Sequence, residues 1–184
     1  MEIYLVRHTT PKIEKGICYG QSNLDTTDTF DSESKKIIEK ISFDLETKIY
    51  TSPLKRCTQL AALFDKNFTI DKRILELNFG DWELKKWDDI PSEELTPWMQ
   101  DFVHVKVPNG ESYVDLDKRA NDFFSEILTK GALKNIIVCH AGVMRSILAR
   151  LTDTALKDSF DIKMVYGQVS KISIKETTEI QIFI

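Results

Sequence analysis

The chain has 184 residues, 42% of them hydrophobic and 29% charged, with a net charge of −4. That composition excludes disordered, collagen-like and coiled-coil classes, and its mild acidity speaks against a nucleic-acid partner, which needs a concentrated positive face. No apolar run approaches the ~20 residues of a membrane-spanning helix.

The N-terminal MEIYLVRH carries no basic leader, and the three cysteines, Cys18, Cys57 and Cys139, are widely spaced. Both features predict a cytoplasmic protein with reduced, packed thiols, no membrane association and no zinc site. No repeat or linker interrupts residues 1–184, which predicts one domain.

Residues 2–6 form an apolar run suited to a buried strand, and residues 47–51 suggest a second. Ser52 and Pro53 then resemble an N-cap and a first helical residue, with Leu54, Cys57, Ala61 and Phe64 at helical spacing behind them. Residues 68–75 are expected to be extended and 92–104 helical. Asn109-Gly110 signals a turn, followed by a helix with Leu116, Ala120, Phe123 and Ile127 on one face. Residues 135–139 are the clearest buried strand. After Gly142 comes a helix carrying Val143, Ile147 and Leu151. Residues 169–174 and 179–184 alternate as a terminal hairpin or a pair of edge strands would. Strands alternating with helices predict an α/β fold: three layers, with a mostly parallel central sheet and helices on both faces.

Of the three histidines, His8 and His140 each follow a predicted strand. Ligands bind at the carboxyl edge of a parallel sheet, so the two imidazoles are expected to face one crevice. Arg7 and Arg56 fall on the same edge, and two guanidiniums beside two imidazoles make an anion site. Helix N-termini after Pro53 and Gly142 add N–H donors. A general acid is sought in the segment 75–83, which offers Glu76, Asp81 and Glu83. Glu76 lies between two leucines, and partly apolar surroundings favour the protonated carboxyl. Asp81 and Glu83 are expected to be more solvated. Spacing alone does not single out Glu76.

Leu5-Val6-Arg7-His8-Thr9 resembles the Arg-His signature of the histidine phosphatase superfamily, with its phosphoglycerate mutase-like fold. Four further segments resemble that family's motifs in family order: 52–61 its second arginine motif, 76–83 its acid-bearing segment, 108–112 its Pro-Gly-Gly-Glu-Ser turn, and 138–142 its second histidine motif. Tyr19-Gly20-Gln21 and the compact length are most similar to the α-ribazole phosphatases, which remove the 5′-phosphate of a nucleoside phosphate during assembly of the cobalamin lower ligand.

The resemblance implies a metal-independent phosphomonoesterase with no cofactor, acting on a small phosphorylated metabolite as a monomer or homodimer. It implies His8 as nucleophile, Glu76 as acid and base, and Arg7, Arg56 and His140 as phosphoryl ligands. Gly20, Gln21 and Ala141 are implied binding residues. Phosphoglycerate mutase-type transfer and a catalytically silent phosphate-binding protein are the alternatives. The chain lacks the mutases' extra segment and their Trp-Asn pair after the first histidine motif. It departs from the pattern at Thr9, at Thr26-Thr27-Asp28, and at Leu84, where glycine is common. The Trp-rich stretch 82–104 is expected to be mostly packing, with one or two rings left as a wall for the leaving group. His104 is expected to be a surface or packing residue.

Overall fold

The computed structural model describes residues 1–174 and 180–183. Its strands are β1 (Glu2–Arg7), β2 (Lys48–Thr51), β3 (Thr69–Ile70), β4 (Lys134–Cys139), β5 (Val169–Ile174) and β6 (Ile180–Phe183), and they form one sheet in the order β3-β2-β4-β1-β5-β6. β1, β2, β3 and β4 run parallel; β5 is antiparallel to β1 and to β6. The expected α/β sheet is therefore present, with an antiparallel margin. The expected hairpin pairs as β5 and β6, while its connection and the last residue lie outside the described residues.

Strand alternation distributes the core to both faces. Ile3 and Leu5 of β1 and Ile137 and Cys139 of β4 pack under α4 (Tyr113–Lys130) and α5 (Ala141–Leu151). Tyr4, Val6, Ile136 and Val138 pack on the opposite face, under α1 (Phe30–Ile38) and α2 (Lys55–Ala61). The four apolar residues of α4 named from periodicity, Leu116, Ala120, Phe123 and Ile127, are all buried, and each large side chain among them contributes about 1.5–3 kcal/mol by leaving water. A reciprocal Ser112–Asp115 capping box opens α4, and left-handed Gly131 closes it.

Several boundaries differ from the expectation. α2 begins at Lys55, with Leu54 as its cap; Ser52 instead turns its hydroxyl inward to His140. Residues 68–75 hold only the short β3 and a helical turn at Lys72–Ile74. The third helix, α3 (Ser92–Gln100), stops short of residue 104. α1 had no predicted counterpart; in its sequence FDSESKKII only Ser34 and Ile37 are fully buried.

Candidate active site

The register of the sheet assembles the site. β1 and β4 pair Arg7 with Cys139, so the residues that follow, His8 and His140, leave the sheet side by side. Their rings meet edge-on with centroids 5.1 Å apart. β2 ends next to β4, and the first turn of α2 brings Arg56 between the two imidazoles. Arg56 Nε donates to His8 Nε2 (3.2 Å) and Nη2 to His140 Nδ1 (3.5 Å).

These bonds define both tautomers, because a guanidinium only donates and a carbonyl only accepts. His8 Nδ1 donates to the Thr9 carbonyl (2.7 Å), which leaves the Nε2 lone pair facing Arg56. His140 accepts at Nδ1 and donates from Nε2 to Ser52 Oγ (2.8 Å). Burial, then the neighbouring Arg56, pushes the pKa of both histidines well below the ordinary value, so both are neutral at pH 7.

Arg7 is held from two sides: Nη1 donates to the Met164 carbonyl (2.8 Å), and the guanidinium lies 4.0 Å from the centre of the Tyr166 ring. Its Nε is buried without a hydrogen-bond partner among the described residues. Tyr19 covers Arg56 in a similar way, and the Tyr19 and Tyr166 hydroxyls are bonded to each other across the site.

Glu76 stands opposite. Its carboxylate accepts from the Leu77 N–H (3.0 Å) and from the Gly142 N–H in the first turn of α5 (3.2 Å). A Cβ at Gly142 would fall 2.4 Å from Glu76 Oε1, so a side chain here would displace the carboxylate from this position. The segment carrying Glu76 is buttressed by Arg119, which donates to the carbonyls of Arg73 and Glu76 and pairs with Glu111.

A cavity of about 220 Å³ opens between these groups. Arg7, His8, Glu76, Ala141 and Gly142 line its polar side, and Ile17, Tyr19, Leu77, Phe79, Trp87, Tyr113 and Phe160 its apolar side, with Arg145 between. Arg56 and His140 both lie against His8, the ring that opens on the cavity. The Gly20 N–H is committed to Glu83, its carbonyl receives Arg56, and the Gln21 amide donates to the Glu76 carbonyl (2.9 Å). Gly20 and Gln21 thus buttress Arg56 and the Glu76 segment.

The expectation for Glu83 is corrected: it is half-buried and hydrogen-bonded to the 20–22 loop, not solvated. Asp81 is exposed as expected. Of the tryptophans, Trp82 is core and Trp98 packs against Trp82 and Trp87, while Trp87 reaches the cavity. His104 pairs with Asp101 on the surface. Leu84 adopts the left-handed backbone (φ 65°) that a glycine favours. Sequence reasoning missed Ser52 as a histidine partner, and also Tyr166, Arg119 and Arg145. For Arg145 a signal existed: it lies three residues after Gly142, on the same face of a helix that starts at a strand's carboxyl end.

Among the described residues, no group of three His, Cys, Asp or Glu side chains is placed to hold a metal ion, and no helix is long and apolar enough to cross a membrane.

The chain is similar in sequence and fold to known proteins. An adenosylcobalamin/alpha-ribazole phosphatase of Salmonella typhimurium is 25% identical over 185 residues, covering 96% of this chain and 92% of that protein. Its Escherichia coli counterpart is 26% identical, with 96% and 91% covered. A Gallus gallus 6-phosphofructo-2-kinase/fructose-2,6-bisphosphatase is 27% identical over 160 residues, covering 85% of this chain but 34% of that longer protein. Among solved structures, the alpha-ribazole phosphatase of Shigella flexneri superposes with a TM-score of 0.83 at 24% identity, covering 96% of this chain and 92% of that one, which establishes a shared fold. The pattern of the Histidine phosphatase superfamily (branch 1) matches residues 3–181, and with nearly the whole chain inside that match, the chain belongs to this superfamily.

Proposed function

We propose that the chain is a metal-independent phosphomonoesterase that works through a phosphohistidine at His8. The observation that carries this reading is the arrangement around His8: Nε2 is unprotonated, Arg7 and Arg56 flank the ring, and Glu76 faces it across the cavity.

In the first step, His8 Nε2 forms a bond to phosphorus as the P–O bond to the leaving group breaks. The electron pair departs with that oxygen, which takes the Glu76 proton. In the second step, the Glu76 carboxylate takes a proton from water, the water oxygen bonds to phosphorus, and the N–P electron pair returns to His8. Arg7, Arg56 and His140 hold the phosphoryl oxygens and balance charge moving onto them. For attack, the Arg56 Nε–H turns from the His8 lone pair to a phosphoryl oxygen. Ala141 and Gly142, at the N-terminus of α5, border the same space.

The substrate we infer is a small phosphorylated metabolite whose leaving group rests on Trp87, Phe79 and Phe160. α-Ribazole 5′-phosphate is the first candidate, supported by the phosphatases of Salmonella and Escherichia coli.

The test is phosphate release from p-nitrophenyl phosphate and from a panel including α-ribazole 5′-phosphate, in excess EDTA, by wild type and His8→Ala. EDTA-resistant release that disappears in the variant is expected. A folded wild type that releases nothing returns the chain to phosphoryl transfer or silent binding.

A further inference from the structure

Glu83 follows the helical turn Gly80–Trp82 and does not line the cavity. Its carboxylate nevertheless accepts five hydrogen bonds: from the N–H groups of Gly20 (3.0 Å), Gln21 (2.8 Å), Ser22 (3.1 Å) and Phe79 (3.2 Å), and from the Ser22 hydroxyl. Three successive N–H groups turned onto one anion form a nest. Only glycine fits the first position, because a Cβ on Gly20 would lie 1.9 Å from the Leu77 carbonyl oxygen and 3.0 Å from Glu83 Oε1.

A planar trans peptide points its C=O and its N–H in opposite directions. The peptide joining Gly20 to Gln21 has its N–H on Glu83, so its carbonyl points away, and there it accepts from Arg56 Nη2 (2.6 Å). The next carbonyl but one, of Ser22, accepts from Arg56 Nη1 (2.7 Å). Arg56 is fully buried, and the short hydrogen bonds of its two Nη groups go to backbone carbonyls, not to a carboxylate. The Gly20–Gln21 peptide, with the Glu83 carboxylate at its far end, offsets part of that charge. A buried charge left without such compensation is costly.

We propose that Glu83 is the positioning residue for Arg56: by orienting the Gly20–Gln21 peptide it sets where the guanidinium stands beside His8, and so governs affinity for the phosphoryl group. The proposal rests on the phosphatase reading in taking Arg56 as a phosphoryl ligand. Burial raises the Glu83 carboxyl, but the bonds from Ser22, Gln21, Gly20 and Phe79 outweigh it and hold the group below the usual carboxylate range, so it is an anion at neutral pH.

The test compares wild type with Glu83→Gln in the full chain. Glutamine replaces one acceptor oxygen with an NH2 that faces N–H donors. Binding of inorganic phosphate is measured by calorimetry, and KM with p-nitrophenyl phosphate and an alkyl phosphate. The phosphate Kd and both KM values are expected to rise together by about tenfold or more, with the ratio of the two substrates unchanged. Ser22→Ala, which removes only the hydroxyl bond, is expected to move Kd the same way by less, and it carries the test if Glu83→Gln does not fold. In a cycle with Arg56→Lys, the effects on Kd are expected to be non-additive. A lower apparent kcat at unchanged Kd overturns the proposal, because loss of folded enzyme lowers rate but not affinity. Full additivity with Arg56→Lys, or a wild type that binds no phosphate, also overturns it. A wild type that binds phosphate but hydrolyses no ester defeats the phosphatase reading and leaves the Kd comparison standing.

Discussion

Arg56 Nε donates to His8 Nε2 at 3.2 Å while the Thr9 carbonyl takes the proton side of the same ring at 2.7 Å. The His8 ring is thus oriented through both nitrogens, with its Nε2 lone pair on the Arg56 guanidinium. His8→Ala is expected to lower turnover by at least about 10³-fold, as removal of a covalent nucleophile does, with secondary structure intact by circular dichroism. Rapid acid quench of wild type during turnover is expected to trap an acid-labile phosphoryl group on the peptide containing His8. A stable turnover rate in the variant removes His8 from the mechanism.

Glu76 is fixed by two backbone N–H groups and faces the cavity that also opens on His8. Glu76→Gln keeps the shape but cannot transfer a proton. An alkoxide leaving group needs that proton and p-nitrophenolate does not. The variant is expected to lose about 10²–10⁴-fold on alkyl phosphates and markedly less on p-nitrophenyl phosphate. Equal losses on both substrates exclude Glu76 as the acid.

The positions legible from sequence are those whose logic is topological. His8 and His140 each end a strand, and parallel strands deliver their ends to one edge. The α4 core face was legible for a similar reason, since a period of 3.6 is visible without a structure. Glu76 became distinct only through the family resemblance. Glu83 was misjudged because its partners are backbone N–H groups, which leave no mark in the sequence. Tyr166 and Ser52 were invisible for another reason: their roles depend on contacts with residues far away in the chain, at Arg7 and His140. α1 was missed because its apolar residues are few: Phe30, Ile37 and Ile38 share one face of an otherwise polar segment.

His8 and His140 are both neutral in the folded chain, with pKa values pushed well below ordinary by burial and by Arg56. The unfolded chain carries histidines near pH 6.5. Below that pH the unfolded state binds protons that the folded state refuses, so stability falls as pH drops through 6.5 and is fully present above it. Each fully linked proton contributes a slope of about 1.4 kcal/mol per pH unit. Urea midpoints between pH 7.5 and 5 are expected to decline in wild type and to decline less steeply in His140→Asn. A flat wild-type profile across that window contradicts neutral burial of both rings.

Tyr166 touches the site through its ring and its hydroxyl in separable ways. The ring packs on the Arg7 guanidinium and lies 5.7 Å from the His8 ring, while the hydroxyl bonds to Tyr19. A cation–π contact at a partly desolvated site is worth about 0.5–2 kcal/mol. Tyr166→Ala is therefore expected to raise KM by about two- to thirtyfold, and Tyr166→Phe, which keeps the ring, to raise it far less. Equal effects from the two variants place the contribution in the hydroxyl bridge instead of the ring.

Leu84 holds a left-handed backbone at φ 65° with its side chain 57% exposed. That conformation costs a residue with a Cβ about 1–2 kcal/mol, whereas glycine adopts it freely. An exposed leucine loses little packing on removal, and the greater freedom of glycine in the unfolded chain offsets part of the gain. Leu84→Gly is expected to stabilise the chain by up to about 1 kcal/mol, which raises Tm by about 2–4 °C in a domain of this size. Because the Leu84 N–H donates to the Cys18 carbonyl (2.8 Å), the turn also anchors the strand of loop that leads to Tyr19, Gly20 and Gln21. Relief of strain at Leu84 is therefore expected to leave KM unchanged or lower it, and a fall in Tm would show that the leucine side chain packs more than its exposure indicates.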